Sequence, residues 1–292
     1  MNYPNKFMTD GLYVYMIPPS SSGDGLIRVD LANYGTVEVL SASGRGLNQV
    51  GWSEAGFMDD YYGYLPPQHD ESLVVRFDQA TFQEFLTLDI SQAHSSCKGF
   101  SGGFTDGTDA FLVPSQTSYV CKFDLATFGG SDGSGNPGTL NYLNLQDTDA
   151  NLQSFMPGFQ VNGYGYLAPS SNGRLVRFPT SFSGMVDVIN LELTDSGFIQ
   201  FASTVTDGTY GYLVPSSSNG KAVRYSLDPF QYVDFKDLST MWSGAPSYWA
   251  GATFDGSYVY FYSFSAAKVL RTDWSSGIFD VIDLSETYGS VS

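Results

Sequence analysis

The sequence predicts an all-β protein of the six-bladed β-propeller class, and three observations support this prediction. A short aromatic motif recurs six times along the 292 residues, at intervals of about 48 residues. Strand and turn signals around each copy indicate four strands. No segment shows a persuasive 3.6-residue helical period. Four antiparallel strands in a repeat of this length are typical of a propeller blade.

The motif is Tyr-x-Tyr or a close variant, and in most copies it follows an Asp-Gly turn signal. In the fifth copy, the turn Asp207-Gly208 precedes Tyr210-Gly211-Tyr212, and this alternation predicts a strand that leaves a turn. The middle residue of the motif is always small or β-branched, which would let a neighbouring sheet approach closely. The first position of the motif is occupied in turn by Tyr13, Tyr62, Asp109, Tyr164, Tyr210 and Tyr258.

The fifth copy also justifies each strand of the repeat. Residues 201–205 are aromatic, small or β-branched and predict the first strand, and residues 209–214 predict the second. The Ser-rich stretch 216–220 predicts a loop. Residues 222–225 predict the third strand, and a fourth begins at 232–235.

The end repeats distinguish a closed ring from an open array. An open array needs polar capping repeats, but the first and last copies here keep the full apolar pattern. We therefore expect one domain, residues 1–292, closed into a six-bladed ring. The predicted blades are approximately 3–50, 51–98, 99–153, 154–199, 200–247 and 248–292.

The blade pattern Asp-Gly-x-Tyr-x-Tyr-x-x-Pro, with an Arg-x-Asp third strand, resembles six-bladed β-propeller repeat proteins. Its general look is similar to the kelch, NHL and YWTD-type propellers, although the full signature of none of them is present. The resemblance covers the whole chain and implies the fold. It implies no catalytic residues, because propellers include lectins, hydrolases, lactonases and scaffolds.

Charge and composition limit the classes of partner. The formal charge of −17 and the pI of about 4.1 argue against binding to nucleic acid or to anionic membranes. No apolar run is long enough for a membrane helix, and the N-terminal residues do not resemble a signal peptide. Cys97 and Cys121 are the only cysteines, so we expect no disulfide framework. A cell-surface or particle-associated location is favoured over a cytoplasmic one.

A cation recurs in the third strand of each blade and is the most regular polar feature. It could form six equivalent sites for an anion or a sugar. The alternative, which we favour, is a structural ion pair with a turn Asp or with the Asp of the same strand, because an unpaired buried Arg is costly. The six cations are Arg28, Arg76, Lys122, Arg177, Arg224 and Arg271.

Features that do not repeat are better candidates for a binding site. The connector 241–249 is longer and richer in aromatic residues than its counterparts. We expect it to share a face with the Ser-rich loops, where loops that bind ligands are commonly found. Flat aromatic rings suit sugars, and the candidate ligand-binding residues are Trp52, Trp242, Tyr248 and Trp249. The Ser-rich loops are residues 20–25, 68–72, 170–173 and 216–220.

Two segments have some features of a metal site. The insertion 129–138 places Asp132, Ser134 and Asn136 at alternate positions, as in the first half of a Ca²⁺ loop, but no bidentate Glu follows. A flexible hairpin extension is the favoured interpretation. His94 and Cys97 have the spacing of a metal-binding pair, but no second pair completes a site.

The leading functional hypothesis is a non-enzymatic binding or structural module that presents loops to a glycan or protein partner. A surface or virion-associated adhesin is one setting for it. The alternative is a hydrolase or lactonase with an acidic, Ca²⁺-dependent site at the ring axis. A third hypothesis is a subunit whose flat face packs within a larger assembly. No nucleophile elbow, phosphate loop or dinucleotide fingerprint appears in the chain.

Overall fold

The computed structural model describes residues 6–17, 25–33, 35–41, 55–83, 85–130, 138–216, 220–246, 248–263 and 266–284. These residues form six four-stranded antiparallel sheets, and within each sheet the strands lie in the order in which they occur along the chain. The prediction of a six-bladed β-propeller with four antiparallel strands per blade is confirmed. The residues group into two compact units, 1–154 and 155–292, and each unit holds three sheets.

The first unit contains sheets one to three. Sheet one comprises β1 (Lys6–Thr9), β2 (Tyr13–Ile17), β3 (Gly25–Asp30) and β4 (Val37–Ser41). Sheet two comprises β5 (Phe57–Met58), β6 (Tyr62–Leu65), β7 (Leu73–Asp78) and β8 (Phe85–Asp89). Sheet three comprises β9 (Phe100–Thr105), β10 (Asp109–Pro114), β11 (Tyr119–Asp124) and β12 (Leu140–Asn144).

The second unit contains sheets four to six. Sheet four comprises β13 (Phe155–Val161), β14 (Tyr164–Pro169), β15 (Arg174–Pro179) and β16 (Asp187–Asn190). Sheet five comprises β17 (Phe201–Thr206), β18 (Tyr210–Pro215), β19 (Lys221–Ser226) and β20 (Gln231–Asp237). Sheet six comprises β21 (Trp249–Phe254), β22 (Val259–Ser263), β23 (Lys268–Thr272) and β24 (Phe279–Asp283).

Each sheet has two ends, which we call the turn edge and the loop edge. The Asp-Gly turns between first and second strands lie at the turn edge. The described loops between second and third strands lie at the loop edge, and so do the described connectors to the next sheet. Short 3-10 turns fix these connectors, because a buried apolar residue at the start of each one donates its N–H to the loop, as Leu238 does to the Gly220 carbonyl at 2.9 Å. The turns are Ile90–Gln92, Leu145–Asp147, Leu191–Leu193 and Leu238–Thr240, and a fifth, Phe128–Gly130, lies at the turn edge.

The small middle residue of Tyr-x-Tyr is required by its own sheet. A Cβ added at Gly211 would lie 2.0 Å from the ring of Tyr225, which is directly opposite on the third strand. The expected reason, close approach of a neighbouring sheet, was therefore wrong at this position. The partner is smaller only where the middle residue is Val. Gly63 and Ala110 face Phe77 and Phe123, whereas Val14 and Val259 face Val29 and Thr272.

The hydrophobic core lies between successive sheets. In the first unit one cluster joins sheets one and two and another joins sheets two and three. In the second unit one joins sheets four and five and another joins sheets five and six. An aromatic residue also recurs at the start of the first strand and is buried in the described sheets three to six, where each is at most 2% exposed: Phe100, Phe155, Phe201 and Trp249.

A disulfide joins Cys97 to Cys121 within the first unit, so the expectation that no disulfide would hold the fold was wrong. Cys97 occupies a connector position that is Phe198 two sheets later, and Phe198 belongs to the same buried cluster as Val223, the counterpart of Cys121. A covalent link therefore stands where the second unit uses apolar packing. Because Cys97 is bonded, it is not available to pair with His94 at a metal.

Candidate functional site

In five of the six sheets an Asp in the turn accepts hydrogen bonds from its own motif, and in sheet four the turn carries Asn162 instead. In sheet five, Oδ1 of Asp207 accepts the N–H groups of Thr209 and Tyr210 at 2.8 and 2.7 Å, and Oδ2 accepts the hydroxyl of Tyr212 at 2.6 Å. Asp255 makes the same bonds, and the bond from Tyr260 holds the pKa of this carboxyl below its usual range. Asp10 and Asp59 repeat the arrangement. These carboxylates stabilise turns.

The recurring cation lies between two aromatic rings. Arg177 lies 4.6 Å from the ring centre of Tyr164 in its own sheet and 4.9 Å from that of Phe230 in the next sheet. Such cation–π contacts contribute roughly 0.5–2 kcal/mol each, depending on desolvation. Two other described cations have the same surroundings: Arg28 lies between Tyr13 and Phe82, and Arg76 between Tyr62 and Phe128.

The same cation also donates to the next sheet. Nη1 of Arg177 donates to the carbonyl oxygen of Leu227 at 2.9 Å, and Arg28 and Arg76 donate to the carbonyls of Gln79 and Leu125. Each acceptor comes three residues after the cation of the next sheet. Two rings and one carbonyl therefore link the sheets of each of these pairs.

The carboxylate partner of the cation differs from the one predicted. Arg28, Arg177, Arg224 and Arg271 pair with acids directly opposite on the fourth strand, which are Glu38, Asp187, Asp234 and Asp280. Lys122 pairs with Asp109 on the second strand at 2.6 Å. Directly opposite residues on antiparallel strands lie close together, whereas the Asp at the end of the third strand accepts bonds from the turn that follows it.

Arg76 departs from this pattern. It is 5% exposed, and Leu86 stands opposite it in the register where an acid would lie. Within the described residues no carboxylate lies at ion-pair distance from it, and its Nε has no hydrogen-bond partner. Its described contacts include two aromatic rings and the Leu125 carbonyl.

The contact between sheets five and six breaks the repeat. Trp274 takes the place of the covering Phe, with its ring centre 5.8 Å from the guanidinium carbon of Arg224. Its Nε1 donates to Oδ1 of Asp234 at 2.9 Å, so the next sheet contacts the carboxylate partner of the cation. In the described part of the chain, no main-chain carbonyl accepts a hydrogen bond from Arg224.

A cleft of about 180 Å³ opens at this place on the turn edge. Its apolar walls include Phe254 and Val259, and its polar lining includes Asp207, Arg224 and Asp273. Hydrogen bonds from Ser275 and Ser276 lower the pKa of Asp273 to about 2, so this carboxylate is ionised at neutral pH. The cleft was not predicted from the sequence, and the one signal for it is Trp274, a Trp in the turn after the third strand.

Three of the ligand residues predicted from the sequence, Trp242, Tyr248 and Trp249, lie at the other end of the sheets, at the loop edge. Trp249 is 1% exposed and fills the core between sheets five and six, so its ring offers no face to a ligand. Trp242 is partly buried and packs edge-on against Trp249, with ring centres 6.2 Å apart. Tyr248 is 48% exposed. Trp52 lies outside the described residues, as do Asp132, Ser134 and Asn136 of the insertion.

The loop edge of sheet three carries a second aromatic group. The ring of His94 stacks on that of Tyr119, with centres 4.5 Å apart, and lies 4.7 Å from that of Tyr142, which is 41% exposed. Nδ1 of His94 accepts the N–H of Ser96 at 3.1 Å. Asp195 accepts a main-chain N–H in the same way in the connector to sheet five, so this His replaces an Asp turn acceptor.

Acids are not concentrated on the first strands. The six first strands carry no Asp and no Glu. Across the described ranges, no group of three His, Cys, Asp or Glu side chains is arranged to hold a metal ion. No helix in the part of the chain that the structure describes is long and apolar enough to cross a membrane.

Comparisons with known proteins place this geometry in a fold class. No protein-family model and no curated protein sequence matches the chain. Among solved structures, the chain is similar to virginiamycin B lyase from Staphylococcus aureus, with a TM-score of 0.69 and 10% identity over 96% of this chain and 84% of that one. A catalytically inactive form of the same lyase with quinupristin gives a TM-score of 0.71, with 10% identity over 97% and 84% of the two chains.

A chain of the nidogen/laminin complex is also similar, with a TM-score of 0.58 and 12% identity over 89% of this chain and 90% of that one. At these identities the likeness shows the fold alone. One neighbour is a lyase and the other belongs to a protein complex, so the fold is compatible with catalysis and with binding.

Proposed function

We propose that the protein is a non-enzymatic binding module whose loop edge engages a glycan or protein partner. Tyr248 carries this proposal. It is 48% exposed and lies in a connector that is one residue longer than the connector from Leu191 to Phe201, counted from the buried Leu238 to Trp249. Exposed Tyr rings are effective binding residues because they supply a large rigid contact area at low entropic cost.

The connector is held firmly on both sides of Tyr248. Trp249 is buried in the core directly after it, and Trp242 packs against Trp249 before it. The N–H of Ala245 donates to the carbonyl of Trp242 at 3.1 Å. A connector fixed in this way loses little conformational freedom on binding, which favours affinity.

The positions of the acids favour binding over hydrolysis. Turn Asp residues accept hydrogen bonds from tyrosine hydroxyls and main-chain N–H groups, and the four fourth-strand acids described above pair with recurring cations. General acid–base catalysis needs a carboxylate that is free to exchange a proton with a substrate. We therefore propose a structural role for the six cations, and we keep an axial hydrolase or lactonase as the competing hypothesis.

The proposed setting is a cell-surface or particle-associated adhesin, or a subunit of a larger assembly. An acidic surface disfavours nucleic acid and anionic lipid as partners. Glycans and proteins remain the partner classes that an exposed aromatic side chain on a rigid connector would suit.

A glycan array combined with pull-down experiments tests the proposal. We expect Tyr248→Ala to weaken binding of a recovered partner about tenfold, the loss typical of an interface hot spot. The matched control is Tyr61→Ala, because Tyr61 is 72% exposed but lies at the turn edge. Equal loss in both variants would contradict the loop-edge site. Silence in both binding assays, together with turnover of a sugar or lactone, would support the hydrolase instead.

A further inference from the structure

We infer that the cleft between sheets five and six is a binding subsite for one neutral sugar ring. It lies at the turn edge, at the opposite end of the sheets from Tyr248. It is therefore a second site beyond the proposed function, and it does not depend on the loop edge.

The cleft lies where a recurring hydrogen bond is missing, namely the bond from the cation of one sheet to a main-chain carbonyl of the next sheet. Between sheets four and five, the Leu227 carbonyl accepts Nη1 of Arg177 and lies 3.5 Å from the hydroxyl of Tyr166. Between sheets five and six, no described carbonyl takes this place for Arg224 and Tyr212. Both side chains line the cleft instead, so a ligand oxygen can occupy the position of the missing carbonyl.

The volume fits one ring. Liquid water takes roughly 30 Å³ per molecule, so the cleft of about 180 Å³ has room for about six waters. A single pyranose ring with its hydroxyls fills a comparable space, whereas a disaccharide would extend beyond it. Sugar hydroxyls would replace those waters and keep their hydrogen bonds.

The polar groups that remain in the cleft are both donors and acceptors. An ionised carboxylate has about four acceptor positions. Asp207 uses three of them for internal bonds, and Oδ2 of Asp273 accepts only the hydroxyl of Ser276 among its described contacts. Each carboxylate can therefore accept a ligand hydroxyl, while Arg224 can donate to a ligand oxygen.

Charge and wall chemistry favour a neutral ligand. Asp207 and Asp273 repel an anion, as does the net charge of −17. A cation has no acceptor oxygen to offer Arg224, whose described bonds to Asp234 use Nε and Nη2. Phe254 and Val259 supply apolar surface for the C–H groups of a ring. A neutral polyol uses all of these groups, and a charged ligand opposes at least one of them.

NMR titration of the wild-type protein tests the inference. The indole N–H of Trp274 is the reporter, because it lies in the wall of the cleft and donates to Asp234. A Trp274→Phe variant assigns its signal. The probes are the methyl glycosides of glucose, galactose and mannose. We expect at least one of them to shift the signal, with a dissociation constant in the millimolar range, as the size of the ligand implies.

Two variants separate this site from others. Ser257→Tyr places a large side chain at the mouth of the cleft, where Ser257 is exposed, and we expect it to abolish the shift. Thr108→Tyr makes the same change at the equivalent turn of sheet three, and we expect it to leave the shift intact.

Three results would overturn the inference. One is the absence of any shift with all three glycosides in folded wild-type protein. Another is a shift that survives in folded Ser257→Tyr protein, since the sugar would then bind elsewhere. The third is a shift with N-acetyl-lysine methylamide or acetate but not with the glycosides, because the ligand class would then be charged. None of these results bears on Tyr248, so failure here is distinct from failure of the loop-edge proposal.

Discussion

The two sheet contacts of the second unit use the same cation position in different ways. Between sheets four and five, Arg177 lies between two rings, pairs with Asp187 and donates to the Leu227 carbonyl. Between sheets five and six, Arg224 still pairs with Asp234, but no described carbonyl accepts a hydrogen bond from it. Trp274 of sheet six donates to Asp234 instead. The first contact is closed by main-chain atoms and the second leaves a cleft.

This difference shows how a repeat protein can gain a site without changing its fold. The strands and the cation remain in place in sheet five, and the register matches that of sheet four up to the cation, after which a bulge follows between Arg224 and Tyr225. The covering aromatic changes, with Trp274 of sheet six standing where the other contacts have a Phe, and the acceptor of Arg224 changes with it. The same cation position therefore links the two sheets at three of the four contacts described here, and at the fourth, between sheets five and six, it lines a cleft.

The largest expected effect is a difference between Arg177→Ala and Arg224→Ala. Arg177→Ala removes an ion pair, two ring contacts and a bond to a carbonyl, and we expect it to lower the free energy of unfolding by about 3 kcal/mol. Arg224 makes no described hydrogen bond to a carbonyl, so we expect Arg224→Ala to lower the free energy of unfolding by about 1.5 kcal/mol less than Arg177→Ala does. Denaturant unfolding measures both values, and equal losses would contradict the comparison.

A smaller effect is expected for Trp274→Phe, which gives sheet six the aromatic type of the other contacts. The variant loses the Nε1–H bond to Asp234, and we expect destabilisation of about 1.5 kcal/mol, since hydrogen bonds to charged groups contribute roughly 1.5–3 kcal/mol and this acid is 44% exposed. Thermal unfolding measures it. Phe230→Tyr is the control for the closed contact, and an unchanged stability for Trp274→Phe would show that the indole bond contributes nothing.

The smallest effect is a pH dependence from the turn that borders the cleft. Hydrogen bonds from Ser275 and Ser276 lower the pKa of Asp273 to about 2, against an ordinary value near 3.9 in an unfolded chain. Its contribution to stability is therefore complete above about pH 4 and is lost as the pH falls towards 2. We expect Asp273→Asn to unfold at a lower temperature than the wild type at pH 6, with the gap closing near pH 2. A gap that stays constant with pH would contradict this assignment.

The repeat made most of the fold predictable, because its turn and strand signals are local. Asp207-Gly208 predicts a turn, and the turn forms with Gly208 at a φ of 89°. Residues that act across sheets were harder to predict. The acid opposite each cation is ten residues away on the fourth strand in sheets four and five, and only the register of the strands decides that it, rather than a nearer Asp, is the partner.

For the candidate site, too, local features were predictable from the sequence and contacts between distant residues were not. Tyr248 and the connector were found because they depart from the repeat in sequence, but the burial of Trp249 follows from packing and could not be deduced from composition. The disulfide was missed because Cys97 and Cys121 lie 24 residues apart, and only the fold of the connector over the third strand brings them together.

The sequence by itself determined the six-blade count, the four-strand unit and the position of each turn, since these depend on neighbouring residues and on periodicity. The tertiary structure decided which acid each cation binds, which tryptophan is buried and where a cleft opens. Those outcomes depend on distances between side chains that belong to different strands and sheets. Trp274 is one residue in a turn, and its effect on Arg224 exists only because sheet six packs against sheet five.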